Sequence, residues 1–415
     1  MKKISFKMCI MVIVFTAVFI HAEASSDDTL TNTLKQRVIT ELTYDFDDTK
    51  LGDAAKISKE KLISKAEQYV NTMNTDASDY VLWSNLPVSI SGVNEAFSRL
   101  LTISKASRMN NNAWDENVKK AVTSLSYQYY NIGEDEGDDW WYYEIGIPKS
   151  LVQILIIEEG EFDKAEIENL CSVILSYCPS ARIHTVDTRI TETGANLAWK
   201  AEILVYCGLL LNNQEIITDA LNACDDLFKT VKSGDGFYKD GSFIQHDKVP
   251  YIGSYGKNLL ESIASMTYVV SGTNLDFDES EKEIIRRWIF DSFAPFMQNG
   301  AVMSMVRGRA IARYYETDQS AGRNIIEQCA KLSETIDSNN EIADFIKEHI
   351  SVNDLQYVNY EPFTIQLLEG ILSDTSKSDM KKDGAWLFPS SDRAVFLRNG
   401  IKMGISKSSS RIYAF

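Results

Sequence analysis

Two side chains that could transfer protons, His246 and Tyr255, lie close together in the glycine- and aromatic-rich stretch Gly236 to Gly256. An imidazole that titrates near neutral pH and a phenol that can give or take a proton form a plausible acid/base pair. The stretch is poor in aliphatic residues, so we expect a turn-rich loop that holds both groups at a surface cleft. An isolated histidine is more often structural, and the catalytic interpretation therefore depends on the groups around it.

The basic tract from Arg307 to Arg313 could bind an anion. Arg309 and Arg313 are four residues apart, which predicts that their guanidinium groups share one helix face. Guanidinium groups match the oxygens of carboxylates and sulfates, but pairing with the chain's own Asp and Glu residues explains the tract equally well. The formal net charge of -17 argues against nucleic acid as a partner, so an anionic substrate would depend on this tract.

The motif Thr193-Gly194-Ala195-Asn196 opens a predicted helix. An Asn at a helix start is ordinarily the N-cap. Beside an imidazole, a phenol and an arginine, its amide could instead hold a carboxylate and stabilise developing negative charge.

Trp140 and Trp141 follow an acidic loop. Neighbouring residues on a helix diverge by about 100°, so at least one of the two indoles is expected to be exposed. An exposed indole is a stacking platform for the face of a sugar. The alternative is that both are hydrophobic anchors between helices.

The elements that must position these residues are predicted to be helices from Leu30 to about Leu372, separated by short polar breaks. The clear amphipathic runs include Ala195–Leu211, Ile216–Val231 and Ile342–His349. Ten or more helices without an intervening strand pattern favour helical hairpins in series, as a bundle, a solenoid or an α/α toroid. No repeat of fixed period is visible, so a regular solenoid is the weaker alternative. After the helices, Asn399-Gly400 between alternating apolar residues predicts a type I′ hairpin, and a further strand is predicted from Arg411.

The first 24 residues have the features of a secretory leader, with a basic start, a short apolar run and a small-residue cleavage site. We therefore expect a secreted protein without a membrane anchor. The five later cysteines lie in apolar, helix-like surroundings and show no C-x-x-C spacing. They predict buried free thiols, not a disulfide framework or a zinc site.

Four motifs, WWYYEIGIP, TGAN, DGSFIQH with PYIGSYG, and RGRAIAR, occur in this order. Together they resemble the hyaluronate, chondroitin AC and xanthan lyases of polysaccharide lyase family 8. The resemblance implies a mainly α fold, an incomplete α/α toroid of helical hairpins followed by a β-sandwich. The implied organisation is a signal peptide over residues 1–24, a toroid catalytic domain over 25–372, a linker over 373–385 and a truncated β-sandwich start over 386–415.

The implied reaction is β-elimination at a uronic acid, which leaves a 4,5-unsaturated uronide and needs no metal or other cofactor. The implied enzyme is a monomer acting on an anionic polysaccharide. Asn196 would hold the uronate carboxylate, and Tyr255 would protonate the leaving oxygen and in one version also remove the C5 proton. His246 would be the base or would keep the tyrosine reactive. The other implied site residues are Arg309 and Arg313, which position the anion, and the substrate-binding residues Trp140, Trp141 and Tyr315.

The sequence departs from the family pattern at Asp139, where an Asn is usual, and it does not reach the β-domain glutamate of the family's site. The sequence Tyr314-Tyr315-Glu316 resembles that of the xanthan-type enzymes more than that of the enzymes that act on glycosaminoglycans. Two other classes stay open. One is an α/α-toroid glycoside hydrolase, with Glu144 and Asp240 as its paired carboxylates. The other is a polysaccharide-binding protein without turnover.

Overall fold

The computed structural model describes residues 29–44, 51–355, 359–374 and 383–413. The predicted signal peptide lies outside the described residues, and so does most of the predicted linker.

Within the described ranges the chain forms thirteen α-helices, most of which alternate between two layers. Their bounds are α1 (29–43), α2 (Asp53–Thr72), α3 (Ile90–Met109), α4 (Asp115–Tyr129), α5 (Ile147–Ile157), α6 (Lys164–Tyr177), α7 (Gly194–Leu211), α8 (Gln214–Ala223), α9 (Lys257–Val270), α10 (Glu279–Arg287), α11 (Asp318–Ser333), α12 (Glu341–His349) and α13 (Pro362–Ser373).

The inner layer is a ring of helices. Helices α3, α5, α7, α9, α11 and α13 each contact the next one, and α2 contacts both α13 and α3. Helices α4, α6, α8 and α12 each pack against an inner helix. The alternation of inner and outer helices confirms the predicted mainly helical α/α architecture.

Helix α7 is the most completely buried of the described helices and carries part of the candidate site. Among the described residues it is the one helix long and apolar enough to cross a membrane, but 89% of it is buried inside the fold. It contacts α5, α6, α8 and α9. Side chains on its first turns are therefore held on a rigid support.

Three helical segments widen into π-helical turns at Tyr142–Gly146, Ile252–Gly256 and Trp288–Phe293. The first two run directly into α5 and α9. The turn-rich loop expected around Tyr255 is thus a π-helical turn at the start of a helix. Such turns are rare and are frequently found at functional sites.

Short strands complete the fold. Strands β1 (Gly236–Phe237), β2 (Phe243–Gln245) and β3 (Val249–Pro250) form one antiparallel sheet in that order. Strands β4 (Met297–Gln298) and β5 (Ala301–Val302) form a second.

The C-terminal sheet contains β6 (Gly384–Phe388), β7 (Arg393–Arg398) and β8 (Ile401–Ser406) in that order. The hairpin between β7 and β8 is confirmed, because Asn399 and Gly400 have φ values of 51° and 77°, as a type I′ turn requires. The strand predicted from Arg411 is wrong. The described residues 411–413 are irregular, and β6 supplies the third strand instead.

The five cysteines after the leader are free and buried, as predicted. Burial raises the pKa of the Cys178 thiol to about 12, which keeps it protonated and unreactive near neutral pH.

Candidate functional site

Tyr255 lies in the π-helical turn that precedes α9. Its hydroxyl oxygen accepts a hydrogen bond from Arg309 Nη2 at 2.6 Å, and the guanidinium carbon lies 5.7 Å from the ring centre. The rings of Tyr251 and Trp199 lie beside it, with centroids 4.9 and 5.9 Å away. The hydrogen bond places the positive charge of the guanidinium beside the phenol oxygen, which is the atom that would give or take a proton.

His246 lies at right angles to Tyr255, with ring centroids 4.7 Å apart. Its backbone is left-handed, with φ of 54°, and the turn is stabilised because the Asp247 N–H donates to Asp235 Oδ1 at 2.8 Å. Burial lowers the pKa of His246, Arg309 lowers it further, and Asp235 opposes both. The imidazole is therefore neutral near neutral pH, the form that can accept a proton.

Two substitutions should move the pKa of His246 in opposite directions. Arg309→Gln removes a nearby positive charge and should raise that pKa, whereas Asp235→Asn removes a negative charge and should lower it. Titration of the histidine C–H resonances by NMR measures both shifts, and the His246→Gln variant identifies the resonance. Shifts in the same direction would show that the two charges do not act on the imidazole as described.

Gln245 ties the histidine turn to the start of α7. The backbone N–H of Ala195 donates to Gln245 Oε1 at 3.1 Å. Gly194 has φ of 54°, and a Cβ at this position would lie 2.4 Å from the same oxygen. The glycine of the TGAN motif is therefore required for this close approach, which brings the turn before Asn196 next to the residue before His246.

Asn196 is not an N-cap. The N-cap of α7 is Thr193, whose side chain makes no capping hydrogen bond, and Asn196 is half-buried in the first turn. Burial raises the pKa of Glu192, while Lys200 and the Asn196 amide oppose that shift. The amide thus lies at the anion-attracting end of a buried helix, where it has no capping role.

A buried ion-pair cluster lies one turn beyond Asn196. Lys200 is fully buried, with its Nζ 2.5 Å from Glu144 Oε2 and 3.6 Å from Glu192 Oε1. The Thr185 N–H donates to Glu144 Oε1 at 3.0 Å. Because charges buried this deeply are tolerated only when paired, the cluster fixes α7 against the segments that carry its partners.

Replacing the buried ammonium should be strongly destabilising. Lys200→Met leaves Glu144 and Glu192 without their cation, and we expect the free energy of unfolding to fall by about 3–5 kcal/mol. The matched control is Lys164→Met, because Lys164 is 89% exposed and its ion pair with Glu168 is on the surface. That control should change the same quantity by less than about 1 kcal/mol in urea denaturation. Equal effects of the two variants would contradict the structural role of the cluster.

Glu144, His184 and Glu192 place ligand atoms within 4.8 Å of one another, a spacing that could suit a metal ion. The Lys200 ammonium already lies at hydrogen-bond distance from Glu144 and supplies positive charge there. A metal ion would be repelled at this short range. We therefore assign these side chains to the ion-pair cluster.

Trp140 and Trp141 diverge, as predicted. The Trp140 ring lies 4.3 Å from that of His184, whereas Trp141 lies edge-on to Trp199 at 6.0 Å. Both indoles are half-buried, so the expectation that at least one of them is exposed is wrong. Trp141 contacts Trp199, and Trp199 contacts Tyr255. Trp141 therefore belongs to the aromatic group around the tyrosine.

The arginine tract does not form the predicted α-helical face. Residues Gly308–Ala312 are a short 3₁₀ helix, and Arg313 follows it with extended geometry. Arg307 is buried and donates to the Glu316 carbonyl oxygen at 2.6 Å, so it is structural. Arg313 pairs with Glu316 Oε1 at 2.5 Å, which leaves Arg309 as the member of the tract that contacts Tyr255.

Tyr315 is 63% exposed on the segment that follows the tract, and its neighbour Tyr314 is 94% exposed. Their rings are nearly perpendicular, with centroids 5.2 Å apart. The two phenols form an open aromatic surface next to Arg313, which is where the predicted substrate contact of Tyr315 would occur.

The two carboxylates nominated for a glycoside hydrolase have other roles. Glu144 is fully buried in the ion pair with Lys200. Asp240 accepts the backbone N–H groups of Ser242 at 3.0 Å and Ser390 at 2.6 Å. Neither carboxylate faces the other across an open cleft, so the structure does not favour hydrolysis by this pair.

Sequence reasoning missed four residues that organise the site: Trp199, Asp235, Gln245 and Tyr251. A signal existed for two of them, because Trp199 follows Asn196 by three residues on one helix face and Gln245 directly precedes His246. Tyr251 accepts the backbone N–H of Arg309 at 3.3 Å. That contact joins segments 58 residues apart, and no local pattern predicts it.

Known polysaccharide lyases are related to this chain in sequence. The chain is 28% identical over 375 residues to a xanthan lyase of Bacillus sp., covering 86% of this chain and 39% of that protein. It is 30% identical over 238 residues to a hyaluronate lyase of Staphylococcus aureus, covering 55% of this chain and 30% of that protein. The chain therefore spans about a third of the length of these relatives.

Solved structures of known lyases share the fold. A xanthan lyase of Paenibacillus superposes with a TM-score of 0.81 at 24% identity, over 92% of this chain and 37% of that one. A chondroitin AC lyase of Streptomyces coelicolor, solved with chondroitin sulphate, superposes with a TM-score of 0.82 at 24% identity, over 92% of this chain and 54% of that one. The family model for the N-terminal alpha-helical domain of polysaccharide lyase family 8 matches residues 35–350. The chain therefore belongs to polysaccharide lyase family 8.

Proposed function

We propose that this protein cleaves a uronic-acid-containing polysaccharide by β-elimination, with Tyr255 as the proton-transferring group. The observation that carries the proposal is the 2.6 Å hydrogen bond from Arg309 to the Tyr255 oxygen, beside a neutral His246. A phenolate stabilised in this way can remove a proton from carbon, and the resulting phenol can return it to a leaving oxygen.

The proposed reaction balances within the site. Asn196, at the N-terminal end of α7, donates to the uronate carboxylate and stabilises the negative charge that develops when C5 loses its proton. The C5–H electron pair forms the C4=C5 bond, and the C4–O bond breaks. Tyr255 takes the C5 proton and delivers it to the departing oxygen, so the enzyme ends each cycle in its starting protonation state.

The other site residues have supporting roles in this proposal. Arg309 stabilises the phenolate, and neutral His246 borders the ring without adding a second positive charge. Arg313 and Tyr315 lie on the exposed segment beside Arg309 and contact the anionic chain. Trp141, which packs against Trp199, supplies an aromatic surface for a sugar face, whereas Trp140 packs against His184.

The choice of polymer can be tested directly. The relatives are named as xanthan, hyaluronate and chondroitin AC lyases, so the protein should be incubated separately with xanthan, hyaluronan and chondroitin. A rise in ultraviolet absorbance from the conjugated uronide identifies the substrate. New reducing ends without that absorbance would show hydrolysis, and binding without new ends would show a non-catalytic toroid.

We also propose that the protein is exported and acts as a monomer. The support for export is the leader pattern of residues 1–24, and the support for a monomer is that Asn196, His246, Tyr255 and Arg309 come from one chain. Amino-terminal sequencing of protein recovered from the culture medium tests the cleavage. Light scattering of the purified protein tests the oligomeric state.

A further inference from the structure

The proposed elimination leaves one cation near Tyr255 without a role. Lys257 is the first residue of α9 and follows the tyrosine by two positions. Its ammonium donates a hydrogen bond to Asn258 Oδ1 at 2.9 Å, and within the described part of the chain it forms no ion pair with a carboxylate. Lysines that leave the solvent are normally paired, so a half-buried ammonium without a carboxylate is unusual in a chain of net charge -17.

The carboxylates nearest to this ammonium are already bound by other cations. The two whose negative charges act on Lys257 belong to Glu261 and Glu316. Glu261 accepts a hydrogen bond from Lys149 Nζ at 3.0 Å, and Glu316 pairs with Arg313 at 2.5 Å. The positive charge of Lys257 is therefore left for a ligand.

The ammonium does not stabilise the fold. Burial lowers the pKa of Lys257, Arg313 and Lys149 lower it further, and Glu261 and Glu316 oppose the shift. A lysine whose pKa is lower in the folded chain than in the unfolded chain favours the unfolded chain when it is charged. Charges that weaken a fold in this way are concentrated at functional sites.

The position of Lys257 suits a polymer that passes over the tyrosine. Lys257 and Glu261 share one face of α9, and Lys257 is at the end that adjoins the π-helical turn of Tyr255. Arg313, whose charge also acts on Lys257, follows Arg309 by four residues, and Arg309 donates to the tyrosine oxygen. The ammonium therefore lies on the side of the site that α9 shares with the arginine segment.

We propose that the Lys257 ammonium binds a carboxylate or sulfate group on a sugar other than the uronate that is cleaved. The inference rests on the proposed function, since the ligand is the same polysaccharide. Asn196 holds the carboxylate of the reacting uronate, and Lys257 holds a second charge of the chain. Lys257 is thus a substrate-binding residue that favours polymers with closely spaced anionic groups, and its three N–H donors suit either group.

Binding to protein that cannot cleave the polymer tests this contact. Oligosaccharides of hyaluronan, unsulfated chondroitin, chondroitin sulfate and xanthan are titrated into Tyr255→Phe protein by calorimetry. Adding Lys257→Met should weaken the tightest of them by at least about tenfold, the effect of losing one hydrogen bond to a charged group. Adding Lys257→Arg instead should keep the affinity within about threefold, because the charge remains. The matched control is Lys56→Met, at an exposed position of α2, and it should leave the affinity unchanged.

The same titrations identify the anionic group. Equal weakening with unsulfated chondroitin and chondroitin sulfate assigns a carboxylate to Lys257, whereas weakening with the sulfated polymer alone assigns a sulfate. Affinity within twofold of the parent protein for every oligosaccharide in Lys257→Met would overturn the proposal.

Two further measurements separate ligand binding from a structural role. In protein that keeps Tyr255, the loss caused by Lys257→Met should lie in KM, because the ammonium does not touch the reacting uronate. Its Tm should equal or exceed that of the wild type, since a charge that weakens the fold has been removed, whereas Lys200→Met lowers the stability. A loss confined to kcat, or a fall in Tm as large as that of Lys200→Met, would contradict the assignment.

The two proposals can fail separately. Elimination by the wild-type protein together with unchanged affinity in Lys257→Met rejects the Lys257 contact alone. Lys257-dependent binding without elimination by the wild-type protein rejects the lyase mechanism alone. Failure of Tyr255→Phe protein to bind any of the four oligosaccharides rejects the Lys257 contact, whether or not the wild-type protein is active.

Discussion

Tyr255→Phe should lower kcat/KM for elimination by about 10³-fold, within the range of about 10²–10⁴ that a positioned proton-transfer group contributes. The substitution removes one hydroxyl and the hydrogen bond from Arg309, but the ring keeps its packing against Tyr251, Trp199 and His246. The loss should therefore appear in kcat, and the thermal stability should stay close to that of the wild type. Initial rates of elimination, followed by ultraviolet absorbance, measure the loss in kcat.

A comparison with His246 separates the two proton-transfer assignments. If Tyr255 removes the C5 proton and also returns it, His246→Ala should retain more activity than Tyr255→Phe. Equal loss in both variants would assign the base role to His246. Activity within tenfold of the wild type in Tyr255→Phe would remove the tyrosine from the chemistry altogether.

Asn196→Ala should lower kcat/KM by about 10²–10³-fold, the typical effect of removing one donor that stabilises developing negative charge. The structure predicts that this loss is not a folding defect. The N-cap of α7 is Thr193, so the amide can be removed without removing a cap. Steady-state kinetics and urea denaturation of the same variant measure the two quantities.

Asn196→Asp is the informative companion variant. It keeps the size of the side chain but replaces a donor with a negative charge beside the uronate carboxylate, so its activity should be no higher than that of Asn196→Ala. A fivefold or smaller effect of Asn196→Ala, or full activity of the aspartate variant, would exclude carboxylate binding by this amide.

Helix positions could be predicted well where the apolar periodicity was continuous. The sequence predicted helices over Ala195–Leu211 and Ile342–His349, and α7 and α12 occupy Gly194–Leu211 and Glu341–His349. Their caps and apolar faces are local features, which a sequence window contains. The run predicted over Ile216–Val231 was too long, because α8 ends at Ala223 and a 3₁₀ turn follows.

The candidate site was less predictable because long-range contacts build it. Arg309 and Arg313 looked like one helix face, but the left-handed φ of 52° at Gly308 starts a short 3₁₀ segment instead. That glycine is required because a Cβ would lie 2.2 Å from the ring of Tyr251. The spacing of the two arginines could not reveal the contact with Tyr251, which lies 58 residues before Arg309 in the chain.

The buried cluster around Lys200 shows the same limit. A lysine within the apolar sequence of α7 signals a buried, paired charge, but its partner Glu144 lies 56 residues earlier. Adjacent Trp140 and Trp141 were correctly predicted to diverge from helix geometry alone. Their half-burial depends on His184 and Trp199, which come from other segments.

The central claim is elimination at a uronic acid, and the mass of the products formed in heavy-oxygen water tests it most directly. Elimination breaks the C4–O bond without adding water, so the products should carry no heavy oxygen, and the new non-reducing end should be lighter by one water than a saturated uronide. Tyr255→Phe protein should give almost no such product. Incorporation of heavy oxygen at the cleaved bond would show hydrolysis and contradict the account.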